Sequence, residues 1–308
     1  MRAWRFASVD RSGGSATVPG APWRGPVTQA WKSSLSGAEF CAGVGAIQER
    51  IRAGDVYQVN LCRVLVAPLP GPAGREPDVR GLASRLAGGD LGRYLGAVHV
   101  PDDGGLPPVW VVTASPELFL RVADGHLSSG PIKGTAATPL GLTPKDEAEN
   151  IMITDMVRND LQRVCWPGTV EVVSLLELQE YAGLVHLVTT VRGELRAAPD
   201  WADILRATYP PASVSGAPKH TALQVISECE PAPRGPYCGA VGWIDSDAGR
   251  AELAVGIRTF WWTADSRHGG WLHFGTGAGI TSGSNAAREW AETELKAERL
   301  VGLASGSD

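Results

Sequence analysis

β-Forming runs at 56–68, 94–100, 109–114 and 118–123 follow one another across the first half of the chain, and this succession restricts the fold more than any other feature. Helical periods interrupt it only irregularly. Phe40, Val44, Ile47 and Ile51 recur at steps of three and four, which predicts an amphipathic helix that starts at Gly37 and is ended by Gly54. A second helix is expected over 145–165, where Ile151, Met152, Val157, Leu161 and Val164 lie in a stretch free of Gly and Pro. Strands are expected at 169–176 and 183–194, then a helix at 217–228 with a proline near its first turn. Strands at 239–244, 252–263 and 270–274 precede a closing helix at 286–303. Strands outnumber helices and do not alternate with them, which predicts an α+β fold with large antiparallel sheets rather than a regular βαβ fold. Residues 1–36, rich in Gly, Ser and Pro between isolated tryptophans, predict an irregular N-terminal arm or edge strand, with 37–308 as the functional domain.

With 44% hydrophobic and 20% charged residues, the 308-residue chain has the composition of a globular protein able to bury a substantial core. A formal charge of -5 offers no positive footprint for nucleic acid, so a small-molecule substrate is expected. No run of about 18 apolar residues occurs and residues 1–20 lack the apolar core of a secretory signal, so no membrane association and a cytoplasmic location are expected. Cys41, Cys62, Cys165, Cys229 and Cys238 are scattered and never form CxxC, the pattern of reduced thiols rather than of a disulfide framework or zinc site.

Five features could carry chemistry. In the closing helix Glu289, Glu292 and Lys296 share one face; they form either a solvated face with an ordinary ion pair or a carboxylate pair for a hard divalent cation. The preceding run GTGAGITSGS lets backbone approach a ligand closely. In KDEAENIMITDMVRND, Glu149 is the carboxylate able to turn inward toward a metal while its neighbours face solvent. In PASVSGAPKH, Ser213, Ser215 and Gly216 precede a helix start, where Ser215 either caps the helix or helps form an anion site. Lys133, read as lying in a tight turn after a strand, is either an exposed loop lysine or a lysine shielded from water that serves as a nucleophile. His186 in GLVHLVTTV is either a satisfied core histidine or a group that orients a substrate.

Taken in order, GDVYQVNLCR, SPELF, PIKGT, KDEAENIMITDMVRNDLQRVC, VHLVTTV, SVSGAPK, GPYCGAVGWI, GIRTF, GAGI and EWAETELKA resemble the chorismate-utilising enzymes. That family includes anthranilate, aminodeoxychorismate, isochorismate and salicylate synthases. The resemblance covers about residues 37–300 and implies large antiparallel sheets packed face to face with helices outside. It also implies roles. Gln58 stands where water-adding members have a lysine and amine-adding members a glutamine, so ammonia is the expected nucleophile. Lys133 stands where most members have alanine, and PIKGT looks like aminodeoxychorismate synthase. Lys133 would attack chorismate to form a covalent adduct, with Glu117 as general acid and base. Glu149, Glu289 and Glu292 would hold Mg²⁺ against the ring carboxylate. Tyr237, Arg258 and Lys296 would bind substrate carboxylates, backbone at Ser215, Gly216, Gly277, Ala278 and Gly279 would complete an anion cradle, and His186 would lie near the substrate hydroxyl.

Departures from the family pattern carry expectations of their own. Members usually have a longer N-terminal portion, so a shortened chain without a tryptophan site is expected, its sheet trimmed or completed by a partner. Pro211 and Ala212 replace two glycines common in relatives, which alters a loop. No cysteine lies in a glutamine-hydrolysing elbow, so ammonia is expected from a separate amidotransferase subunit or from solution. The alternatives are a related chorismate amination, giving anthranilate or 2-amino-2-deoxyisochorismate, and a non-catalytic chorismate-binding subunit.

Overall fold

Two antiparallel sheets, each of seven strands among the described residues, pack face to face with helices on their outer faces. The structure, a computed structural model, describes residues 22–71, 76–89, 92–101, 106–136, 138–181, 184–196, 200–265 and 269–306. In chain order the elements are β1 (Lys32–Ser33), α1 (Gly37–Ala53), β2 (Gln58–Pro68), α2 (Val79–Ala87), β3 (Tyr94–Val100), β4 (Val109–Ser115) and β5 (Leu118–Ala123). There follow β6 (His126–Gly130), β7 (Ile132–Ala136), α3 (Pro144–Gln162), β8 (Glu171–Tyr181), β9 (Leu184–Glu194), α4 (Trp201–Thr208) and β10 (Gly216–Ala217). The last are α5 (Lys219–Cys229), β11 (Ala240–Asp245), β12 (Arg250–Val255), β13 (Thr259–Thr263), β14 (Trp271–Ile280) and α6 (Ala286–Ala304).

The first sheet runs β1-β2-β14-β13-β4-β3 with β10 also on β2, and the second runs β11-β12-β5-β6-β9-β7 with β8 also on β9. The α+β expectation holds. The expected strand at 252–263 is two strands, β12 and β13, in different sheets; the chain crosses over at Arg258, whose φ of 50° lies in the left-handed region. The strand expected at 270–274 extends through the glycines to Ile280, because β14 continues in unbroken register with β2. Lys133 lies in β7 rather than in a turn: β6 and β7 run along one edge of β9, interrupted at Pro131. Sequence patterning missed α2, α4 and β6, which are short. Residues 1–21 of the expected arm, and Gly183 at the expected start of β9, lie outside the described residues. Further along the arm, β1 pairs as an edge strand with β2, and the Trp23 and Trp31 indoles bond to Ala304 O and Ser305 Oγ at the end of α6.

Alternation along the strands sorts the core. On β2, Val59, Leu61 and Leu65 face the helices, while Gln58, Cys62 and Val64 face the other sheet. A thick apolar cluster of Val111, Phe119, Leu253, Val255 and Trp261 ties the sheets together, with Ile153, Val157 and Leu161 of α3 behind the second sheet. Two polar devices then set the helices that matter for the site. Arg63, buried on the outer face, donates to Thr293 Oγ1 at 3.0 Å, pairs with Glu294 and stacks 4.2 Å over Trp290, which fixes α6 against β2. Asn150 is wholly buried; it donates to Leu187 O at 2.9 Å and accepts from Thr189 at 2.5 Å, which fixes α3 against β9.

Removing that amide takes the side-chain donor from the Leu187 carbonyl and the acceptor from the buried Thr189 hydroxyl, which still accepts from Leu176 N–H. We expect Asn150→Ala to cost about 2–3 kcal/mol of stability, read as a lowered urea midpoint, whereas the exposed Asp155→Ala should stay near wild type.

Candidate active site

β7 carries a bulge between Ile132 and Thr135, and Lys133 and Gly134 occupy it. A bulge re-aims the side chain next to it. Gly134 has φ 83°, and a Cβ there would lie 2.8 Å from Asp146 Cβ, so only glycine fits. Lys133 is thereby turned across the gap toward β14: a methyl group on Gly279 would lie 3.0 Å from Lys133 Nζ and 2.7 Å from Gln58 Nε2. Gln58 is fully buried, and neither its Nε2 nor its Oε1 has a hydrogen-bond partner. Such an amide is what a buried polar ligand site looks like before the ligand arrives.

Glu117, at the β4–β5 turn, is 4% exposed. Burial pushes its carboxyl up to about 7, against a partial offset from the Ser213 hydroxyl, the Lys133 ammonium, the Ile132 backbone and Lys296. An acid poised there can both give and take a proton near neutrality. A narrow cavity bordered by Ser129, Thr208, Ser213 and Asp160 adjoins it.

On the other side of Lys133 stand three carboxylates. Glu149 comes from α3, Glu289 and Glu292 from α6. Burial raises the Glu149 carboxyl even though Lys133 and Lys145 pull it down. Burial works the same way on Glu292, but Lys296, Lys133 and Lys145 outweigh it and hold that group below the usual carboxylate range. Lys145 sits 3.2 Å from Glu289 Oε1 and 3.6 Å from Glu149 Oε1. Burial opposes its charge, yet Glu289 and Glu149 hold its ammonium above the ordinary lysine value. With Lys145 so placed, no three metal-ligating groups of the described residues converge tightly enough to hold an ion as they stand. The donor set nonetheless fits a hard divalent cation in its chemistry: all donors are carboxylate oxygens, Lys145 Nζ bridges two of them from different helices, and the buried Glu149 Oε1 has no hydrogen-bond donor.

The remaining expected residues divide. Lys296 pairs with Glu292 and donates to Gly277 O at 3.2 Å, so it belongs to the same wall. Gly277 and Gly279 face the site, whereas the Ala278 side chain points to the helices and contributes backbone only. Ser215 caps no helix: α5 begins at Lys219, Ser215 Oγ donates to Pro211 O and its N–H is committed to Ala212 O. Gly216 packs directly on the Gln58 carbonyl and so supports that wall from behind. Tyr237 lies flat on Gly275, beside Cys62 and Cys238, in the inter-sheet core. His186, opposite Thr135 on β9, is buried; burial and the nearby Arg258 lower its imidazole to about 4, so it is neutral at pH 7. Sequence reasoning missed Lys145, although its four-residue spacing from Glu149 was readable.

A family model described as chorismate binding enzyme matches residues 11–302. The chain is 33% identical over 295 residues to aminodeoxychorismate synthase component 1 of Salmonella typhimurium, covering 91% of this chain and 61% of that protein. It is 34% identical over 293 residues to anthranilate synthase component 1 of Streptomyces coelicolor, covering 89% and 53%. Its fold is similar to the crystal structure of anthranilate synthase component I from Streptococcus pneumoniae, with a TM-score of 0.73 at 30% identity over 88% of this chain and 59% of that one. The chain thus spans little more than half the length of these relatives.

Glu117 also makes a stability prediction. Its folded value of about 7 lies above the ordinary 4.5, so its contribution is complete below pH 4.5 and is lost as pH rises through about 7. Relative to Glu117→Gln, the wild type should lose about 3 kcal/mol between those limits. Parallel denaturant titrations across pH 4–8 would read this, and parallel curves would refute the burial argument.

Proposed function

Because the chain belongs to the chorismate binding enzyme family, we propose that it aminates chorismate, as aminodeoxychorismate synthase component 1, giving 4-amino-4-deoxychorismate for 4-aminobenzoate and folate synthesis. The single observation that carries this reading is Lys133, an amine turned by a bulge into a gap beside Gln58, within electrostatic reach of Glu117, Glu149 and Glu292.

Glu149, Glu289 and Glu292 would hold Mg²⁺, which supplies charge neutralisation for the ring carboxylate. Lys296 and Arg258 bind the substrate's carboxylates. Lys133, once its ammonium has given up a proton, attacks C2 of the ring; the ring double bond shifts and the C4–oxygen bond breaks. Glu117 delivers its proton to the departing oxygen, which leaves as water. Ammonia then attacks C4, the double bond returns, and the C2–nitrogen bond to Lys133 breaks. Two displacements at close range replace one distant attack. Gln58 faces the same gap with an unpartnered amide, suited to an incoming amine. Ammonia would come from a separate glutamine amidotransferase subunit. The enzyme is read as cytoplasmic; no helix of the described residues is long and apolar enough to cross a membrane.

A second reading, amination at C2 to anthranilate, draws on the comparable similarity to anthranilate synthase component 1. It gives Lys133 no bond to make.

Incubation with chorismate, Mg²⁺ and ammonium followed by mass spectrometry separates the two products. We expect 4-amino-4-deoxychorismate, and a loss of about a thousandfold or more in its formation by Lys133→Ala. Full turnover by that variant removes the covalent route. Chorismate binding in calorimetry with no turnover would mark a non-catalytic subunit.

A further inference from the structure

Lys145 stands where helix energetics disfavour it. It is the second residue of α3, next to the positive end of the helix dipole, where a cation is unfavourable. Its pairing with Glu149 has the lysine N-terminal to the glutamate, the weaker of the two orientations at that spacing. The helix start is already satisfied without it, because Thr143 and Asp146 cap each other reciprocally. What the ammonium does contact is the pair of carboxylates that α3 and α6 bring together. Glu149 and Glu289 have side chains only 15% and 6% exposed. Two carboxylates so far removed from water need a counter-charge whenever no metal ion is bound. The Lys145 side chain is 48% exposed, so its flexible stem can carry the charge out to solvent with no change in the helix.

We propose that Lys145 is a tethered counter-cation that fills the Glu149–Glu289 site and is displaced when a divalent ion enters, so that it sets metal affinity by competition. This rests on the reading of Glu149, Glu289 and Glu292 as metal ligands. Lys145 is thus a positioning residue. It keeps the two helices drawn together and the site near neutral before metal and substrate arrive, and its displacement makes occupancy depend on the free metal concentration.

The test is calorimetric titration of Mg²⁺ into the full chain without chorismate, comparing wild type, Lys145→Met, Lys145→Arg and the double variant Glu149→Gln/Glu289→Gln. Lys145→Met should bind Mg²⁺ about tenfold more tightly, since the competing charge is gone. Its metal-free thermal midpoint should fall and be recovered by Mg²⁺, while the arginine variant, which keeps the charge, should stay close to wild type. The double glutamine variant should bind no Mg²⁺. Equal or weaker Mg²⁺ binding by Lys145→Met, with wild-type binding still abolished in the double variant, overturns the competition and leaves the metal site standing. Tightening by the arginine variant equal to that of Lys145→Met overturns it as well. Absence of Mg²⁺ binding in wild type and Lys145→Met alike removes the metal reading, and the inference falls with it.

Discussion

A strand whose second half presents no side chains on one face makes the site possible. Along β14, Thr276, Ala278 and Ile280 point to the helices and pack there, while Gly275, Gly277 and Gly279 turn toward the second sheet. What fills the room they leave changes along the strand. The Tyr237 ring lies on Gly275, Cys62 sulfur meets Gly277, and at Gly279 only the ends of Gln58 and Lys133 approach. The row is therefore filled by an aromatic ring and a sulfur at one end and by the polar ends of two side chains at the other. A Cβ at any of these three positions would meet a neighbouring side chain at 2.1–2.7 Å, which explains the alternate glycines better than chain flexibility does.

Into that opening the fold directs more charge than an apolar sandwich normally contains, and the balance is struck locally. Glu117 is the most enclosed of the carboxyls and keeps its proton to about pH 7 despite two lysines nearby. Glu292, more exposed and flanked by three lysines, is held below the usual carboxylate range by their charge. Two carboxyls facing the same lysine, Lys133, are pushed in opposite directions by solvent access and neighbouring charge. That separation is the prerequisite for one group to exchange protons while another remains an anion.

Much of this was legible in the sequence, and the failures have physical causes. Helical periodicity found α1, α3, α5 and α6 because each has an apolar face long enough to show its period. The two-sheet α+β architecture followed from the order of the strands. The split between β12 and β13 was not legible, because a continuous β-forming run does not reveal the crossover at Arg258, a non-glycine residue in a left-handed conformation. Gly134 gives Lys133 the look of a turn residue in sequence; only cross-strand register distinguishes a bulge from a turn. Ser215 and Gly216 resembled a helix start, yet the chain makes one more strand pair with β2 before α5 begins. Lys145 went unnoticed because its significance depends on α6, which lies far away in sequence.

Gln58 has a consequence for selectivity. Its amide is buried with donor and acceptor both without partners, so a ligand that brings complementary polar atoms there offsets the cost of burying it. A molecule of the right outline but greasy at that spot would leave the amide as dry as before and would be rejected by polarity, not by size. Discrimination at this wall is therefore a matter of wetting: what enters must do for the glutamine what water is prevented from doing.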